Sequence, residues 1–267
     1  MPLLEATNLR KAYAGRTVVD GVSISVEKAE IVGLLGRNGA GKTTSFRMTI
    51  GMIEADAGRV VFDGHDLTGQ PMYRHARMGI GYLSQEPSVF QRLTCEQNLL
   101  AILETRKLSR KERRRRADEL LARFGLTHKA KHLARTCSGG ERRKLEIARS
   151  LITEPRLILL DEPFSGVDPI AVEELQNELR RLCDQGIAFL ITDHNVQQTL
   201  RVCDRAYIID AGKVLAQGTP RELINDDLVK RVYLGSLFRG DEFDEPVATG
   251  GTGVPPVGAS TNRSRHP

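Results

Sequence analysis

The residues best suited to chemistry begin with GRNGAGKTT, Gly36–Thr44, which lies between the apolar segment EIVGLL and the helix-like SFRMTIG. A G-x-x-x-x-G-K-[ST] spacing in a strand-to-helix context is that of a phosphate-binding loop. Gly36, Gly39 and Gly41 let successive backbone N–H groups turn toward an oligophosphate, and a helix starting near Lys42 adds its positive end. Lys42 is placed to reach the β- and γ-phosphates and Thr43 to offer its hydroxyl to Mg2+, while Asn38 and Thr44 complete the nucleotide contacts of the loop.

A second acidic site matches it. PRLILLDEP, Pro155–Pro163, reads as a buried strand ending in two carboxylates; Asp161 can hold Mg2+ directly or through water, and Glu162 can polarise a water toward a γ-phosphorus. A further buried strand, Ile187–Thr192, delivers His194, an imidazole suited to donate to the same phosphate, although an isolated histidine in that setting also has a structural reading. Gln85 ends the strand-like IGYLSQEP; its neutral amide can ligate Mg2+ through oxygen or hold a water, or can simply be a surface group. CSGGE, Cys137–Glu141, opens a long helix with a hydroxyl and free backbone donors at Ser138, Gly139 and Gly140. That is either an ordinary N-cap or an anion contact to a nucleotide held by another copy. Tyr13, between two short strands, is an aromatic platform for a nucleobase or a packed strand-end residue.

The elements that must position these groups follow from pattern. Leu3–Tyr13, Val18–Val26 and Gly58–Gly64 alternate like a small antiparallel sheet. Between Glu86 and about Leu151 the strand signals stop, and Thr94–Arg106, Ser109–Gly125 and Gly140–Ile152 read as helices. Helices are expected at Ala171–Leu182 and Val196–Arg205, a hairpin-like pair at Ala206–Asp210 and Gly212–Gly218, and a helical region from Pro220 to Gly235. From about Gly240 the composition turns to DEFDE and TGGTGVPPVG, as expected of a disordered tail, 240–267.

Composition narrows the class. With 267 residues and 40% hydrophobic content the chain can bury a sizeable core, and a net charge of +5 suits an anionic partner only weakly. The run RKERRRR, Arg110–Arg116, is broken by Glu112, followed by Asp118 and Glu119, and lacks aromatics, so it reads as a solvated helix face with no nucleic acid as partner. Cys95, Cys137, Cys183 and Cys203 are far apart with no C-x-x-C pair, which fits a reducing compartment. MPLLEA lacks the regions of a signal peptide and no run approaches 18 apolar residues, so the chain is expected to be soluble and not to span a membrane.

Taken in order, Gly36–Thr44, Gln85, Cys137–Glu141, Leu157–Glu162, Val167 with Asp168, and His194 resemble the ATP-binding subunits of ABC transporters, over residues 3 to about 238. The resemblance implies an α/β fold: a P-loop NTPase (RecA-like) core with an antiparallel β subdomain, 1–85 and 152–239, and a helical insertion, 86–151. It implies that Tyr13 is the adenine platform, Gly36–Thr43 the Walker A loop, Gln85 the lid residue, and Ser138–Glu141 the signature. Asp161 becomes the magnesium aspartate, with Thr43 and Gln85 beside it, and Glu162 the catalytic glutamate acting with Lys42 and His194, the switch histidine. Asp168 resembles the loop aspartate across a dimer interface. Cys137 stands where the family usually has Leu; both tolerate apolar burial, so little effect is expected.

Within the family, IVGLLGRNGAGKTT, GIGYLSQE, SGGERRKLEIAR, DEPFSGVDPI, ITDHNV and VKRVYLGSLFR are similar to the ATPases of lipopolysaccharide exporters. That likeness implies ATP and Mg2+ as cofactors, a head-to-tail dimer with a second copy of the chain, and two integral membrane subunits as partners. The place implied is the cytoplasmic face of the inner membrane, held peripherally. It also puts Phe90, Arg92 and Leu93 in the groove that receives the membrane subunits' coupling helices; Arg37, where Pro is common, is expected to be neutral. Two other readings stay open: the ATPase of a branched-chain amino-acid or other importer, and a soluble ABC ATPase acting on ribosomes or DNA. The second usually carries two such domains or a long coiled-coil insertion in one chain, and neither is present in this sequence.

Overall fold

Three apolar runs set the layout. β3 (Ile31–Gly36), β7 (Leu157–Asp161) and β8 (Ala188–Thr192) are buried at every residue, as expected of parallel strands covered on both faces. The computed structural model describes residues 1–234, so the tail expected at 240–267 and the end of the expected ATPase domain at 239 lie outside the described residues.

Ahead of β3, β1 (Leu4–Tyr13) and β2 (Arg16–Val26) form an antiparallel pair; after it come α1 (Lys42–Thr49), β4 (Ala57–Phe62), β5 (His65–Asp66), α2 (Met72–Arg77) and β6 (Ile80–Leu83). Helices α3 (Cys95–Leu103), α4 (Arg110–Arg123) and α5 (Gly139–Leu151) occupy the span before β7. β7 is followed by α6 (Pro169–Asp184), and β8 by α7 (Val196–Val202), β9 (Arg205–Asp210), β10 (Lys213–Gly218), α8 (Pro220–Asn225), α9 (Asp227–Val229) and a π-helical turn at Lys230–Leu234.

Two sheets result. One is antiparallel, ordered β2-β1-β4-β5; the other is ordered β10-β9-β3-β8-β7-β6 and is parallel except for β10. Ligand sites in such sheets lie beyond the carboxyl ends of the strands. Because β3 neighbours β8 and β8 neighbours β7, the phosphate loop, the turn carrying His194 and the turn carrying Glu162 leave the sheet side by side. One apolar cluster, containing Val32, Leu34, Phe46, Leu159 and Leu190, joins α1, the parallel sheet and the antiparallel sheet. Another, containing Leu99, Leu121, Leu145, Leu160 and Leu179, fastens α3 to α6 onto the other side.

Among the described residues the expected elements are present, with three differences, and the Gly235 end of the expected last helical region lies outside them; β5 adds a short edge strand in what read as a connection. α2 was not anticipated: MYRHAR is short, mostly polar and follows Pro71, so it offers too few turns for a helical period. The helix expected to reach Arg205 stops at Val202, because Cys203 turns extended and Arg205 opens β9. The basic run lies on α4 with much of its charge paired: Arg115 contacts Glu112 and Glu119, and Arg116 contacts Glu112 and Glu154.

Glycine is required where α1 begins. Gly41 has φ 102°, and a Cβ there would stand 2.7 Å from the Val18 carbonyl oxygen. Gly41→Ala is therefore expected to cost about 1–3 kcal/mol of stability, read as a lower melting temperature of the nucleotide-free chain; an unchanged Tm would contradict this account of the loop.

Candidate nucleotide site

The loop between β3 and α1 places Lys42 at the first position of the helix, and only 7% of the residue is exposed. Its ammonium donates to the Gly36 carbonyl at 2.6 Å and the Arg37 carbonyl at 3.0 Å, so it sits inside the loop that would wrap a phosphate chain. Burial pushes its pKa down, while Glu162, Asp193 and Asp161 act in the opposite sense. A desolvated cation facing three carboxylates favours a polyanion arriving with a divalent cation. Asn38 and Thr43 are exposed at the mouth of the loop and Thr44 is half-buried behind it.

The carboxylates come from the two strands on the same side of β3. Asp161 ends β7 and is buried, which pushes its pKa up; Glu162 raises it further, while Arg47, Arg143 and a bond from Tyr82 lower it. Glu162 is one residue beyond the strand and holds φ 47°, the left-handed region that non-glycine residues rarely adopt, with its N–H donating to the Thr192 carbonyl at 2.7 Å. Strain of this kind persists where surrounding structure fixes it and is common at functional sites. It aims the carboxylate so that Glu162 Oε2 accepts from Gln85 Nε2 at 2.8 Å and lies 3.2 Å from His194 Nδ1. Gln85, Glu162 and His194 thus meet on one oxygen, although 77 residues separate Gln85 from Glu162.

Asp193, which sequence reasoning left without a role, ties this cluster together. It is fully buried; Oδ2 accepts from the Phe164 N–H at 3.2 Å and Oδ1 from the Asn195 N–H at 2.9 Å, locking the turns after β7 and β8 to each other. His194 Nδ1 lies 3.4 Å from Asp193 Oδ1. Burial pushes the Asp193 pKa up, opposed by its two backbone donors. Arg143 on α5 was missed as well: its guanidinium reaches the Ser84 carbonyl, Glu146 and the Asp161 carbonyl, bracing both strand ends from behind. The sequence GERRKLEIAR reads as a charged helix, and nothing in it marks Arg143 as the arginine that turns toward the site.

Other expected residues stand apart from this cluster. Tyr13 ends β1 as an exposed residue, 46% accessible, with Lys11 Nζ 5.7 Å from its ring centroid. Ser138 caps α5 through the Glu141 N–H, with Glu141 accepting in return from the Ser138 N–H, and Asp168 caps α6 through the Ala171 N–H. Gly139 and Gly140 pack the start of α5 against the Gly166–Ala171 stretch: a Cβ on Gly140 would meet the Ala171 Cβ at 2.6 Å. Phe90 is exposed with the Arg149 guanidinium 4.9 Å from its ring centroid, Arg92 is exposed, and Leu93 is half-buried. Buried Asn98 shapes that strip, accepting from the Phe90 N–H and donating to the Phe90 and Thr94 carbonyls. A groove of about 310 Å3, lined by Gln85, Arg142, Arg143, Glu146 and Glu162 among others, opens beside the carboxylate cluster.

Comparison with known proteins decides the family. A family model described as ABC transporter matches residues 19–165. The chain belongs to that family. It is 53% identical over 240 residues, 90% of this chain and all of the relative, to the lipopolysaccharide export system ATP-binding protein LptB of Haemophilus influenzae. The LptB of Escherichia coli K12 is 52% identical with the same coverage, and that of Acidithiobacillus ferridurans 51% identical over 89% of this chain and 98% of the relative. Among solved structures, an ATP-binding cassette of an ABC transporter in its ADP conformation superposes with a TM-score of 0.80 at 31% identity, covering 88% of this chain and 99% of that one. A nucleotide-free cassette gives 0.79 at 30% identity, covering 88% and 100%. The chain is thus an ABC transporter ATPase, with the P-loop α/β fold of its class and ATP as its nucleotide. Among the described residues no helix is long and apolar enough to cross a membrane.

Proposed function

We propose that this chain is the ATPase subunit that powers extraction of lipopolysaccharide from the inner membrane and its export to the outer membrane. The observation that carries the reading is identity above 50%, across nine-tenths of the chain, to proteins named for lipopolysaccharide export. Two copies pair head to tail around two ATP molecules. In each site the Lys42 loop of one copy holds the phosphates, and Ser138 to Gly140 of the second copy close over them with Asp168 alongside. Tyr13 stacks on the adenine.

Thr43, Asp161 and Gln85 are the oxygen donors that would hold Mg2+, partly through water, and a bound ion would supply charge neutralisation to the nucleotide's phosphates. Glu162 takes a hydrogen bond from the attacking water and orients it in line with the γ-phosphorus. Lys42 and His194 stabilise the charge that spreads over the transferring phosphoryl oxygens. Gln85, bonded to Glu162 and leading into the strip Phe90–Leu93, reports the state of the site to two integral membrane subunits bound at that strip. The work takes place peripherally, on the cytoplasmic face of the inner membrane.

A test is capture of the tagged chain from detergent-solubilised membranes. Two integral subunits of a lipopolysaccharide exporter are expected to co-purify, and to be lost when Phe90 and Leu93 are both replaced by Asp. Recovery of amino-acid importer subunits instead would replace the cargo while leaving the ATPase in place.

A further inference from the structure

One buried ion pair grips the chain on both sides of Gln85. Arg143 and Glu146 lie three residues apart on α5, so they share a face of that helix, and both are buried. Arg143 Nη1 donates to Glu146 Oε2 at 2.9 Å and to the Ser84 carbonyl at 3.0 Å, and Nη2 donates to the Asp161 carbonyl at 3.3 Å. The second carboxylate oxygen, Glu146 Oε1, accepts from the Ser88 N–H at 2.5 Å and from the Ser88 hydroxyl at 3.3 Å. Ser84 directly precedes Gln85, and Ser88 follows it closely, so both shoulders of the segment that carries the Gln85 amide are tied to α5. On the far side, Arg149 donates to Ser88 Oγ at 2.7 Å and stands over the Phe90 ring. A line of directed bonds thus runs from Phe90 and Arg149 through Ser88, Glu146 and Arg143 to Asp161.

Stability alone does not call for charges here. Replacing a buried ion pair by apolar residues of similar volume is often neutral or stabilising, because both ions give up their water. What apolar packing cannot supply is a fixed set of directed bonds, and these end on the main chain either side of Gln85 and on the residue before Glu162. The bond they flank, from Gln85 Nε2 to Glu162 Oε2 at 2.8 Å, joins two segments far apart in sequence. If either anchor moves, that bond moves with it.

We propose that Arg143 and Glu146 are positioning residues for ATP hydrolysis, holding the Gln85 segment and the end of β7 in the register that puts the Gln85 amide on Glu162. The proposal rests on Gln85 acting at Glu162, as proposed above, and adds the pair that enforces it. Neither residue touches the nucleotide or the attacking water.

The experiment compares the full-length wild type with Glu146→Gln, Arg143→Lys, Gln85→Ala and the double variant Gln85→Ala with Glu146→Gln, each assayed well below its own melting temperature. It reads kcat, KM for ATP and amide exchange over residues 84–90. Glu146→Gln keeps the side-chain shape but offers one acceptor oxygen where the carboxylate offered two, so it cannot serve Arg143 and the Ser88 N–H as before. It is expected to lose roughly threefold or more in kcat, to keep KM within roughly twofold, and to exchange faster over residues 84–90. Arg143→Lys keeps the charge and loses the planar fork, and is expected to show the same split. In the Gln85→Ala background Glu146→Gln should lower kcat no further, since it acts through the residue already removed. An unchanged kcat in Glu146→Gln overturns the proposal, and so do losses that multiply in the double variant, the pattern of a purely structural pair. Multiplying losses leave the role of Gln85 standing. Wild-type turnover by Gln85→Ala removes that role and the proposal with it.

Discussion

Glu162→Gln should lower ATP turnover by roughly 100- to 10,000-fold, the range associated with losing a positioned general base, while leaving ATP binding intact. The substitution preserves the shape and one acceptor oxygen of a side chain that takes a bond from Gln85 at 2.8 Å and stands 3.2 Å from His194. What it removes is the negative charge that draws a proton from water. Lys42 and the glycine loop stay in place, so the variant should hold Mg·ATP without turning it over and accumulate as a closed dimer of twice the 29.6 kDa chain mass. Turnover is read by phosphate release and the dimer by light scattering. Wild-type-like hydrolysis would sink the role given to Glu162.

The second large effect is at the other end of the phosphate chain. Lys42→Ala removes a buried ammonium bonded to Gly36 and Arg37 that faces three carboxylates. Losing one partner of a desolvated charge pair costs about 2–5 kcal/mol, so ATP affinity should fall at least roughly 30-fold. Ligand binding raises apparent stability by mass action, so the rise in Tm that Mg·ATP gives wild type should largely vanish in the variant. A variant that still shows the full ATP-dependent rise would place the phosphates elsewhere.

These two residues were legible from sequence for a local reason. Lys42 is fixed by offsets within nine residues, and Glu162 by a continuous apolar strand that ends beside it. The parallel core around β3, β7 and β8 was legible on the same ground, because fully buried strands are apolar throughout. Asp193, Arg143 and Asn98 were not. Asp193 and Arg143 reach main-chain groups that sheet order and helix packing bring close, Asn98 holds the loop that folds back on the start of its own helix, and a polar residue that turns inward carries no periodic mark. α2 was lost to its brevity, and the true end of α7 to the lack of a Gly or Pro stop. Ser138 and Asp168 show the remaining limit: within one chain both act as helix caps, and the reading that makes them nucleotide or dimer contacts depends on a second copy.

The most direct measurement places the chain, with the membrane subunits that co-purify with it, in liposomes containing lipopolysaccharide, and follows ATP-dependent transfer of lipopolysaccharide to an external acceptor. Transfer is expected with wild type and Mg·ATP, and is expected to fall to background with Glu162→Gln. Steady ATP hydrolysis by wild type with no lipopolysaccharide leaving the bilayer would contradict the account.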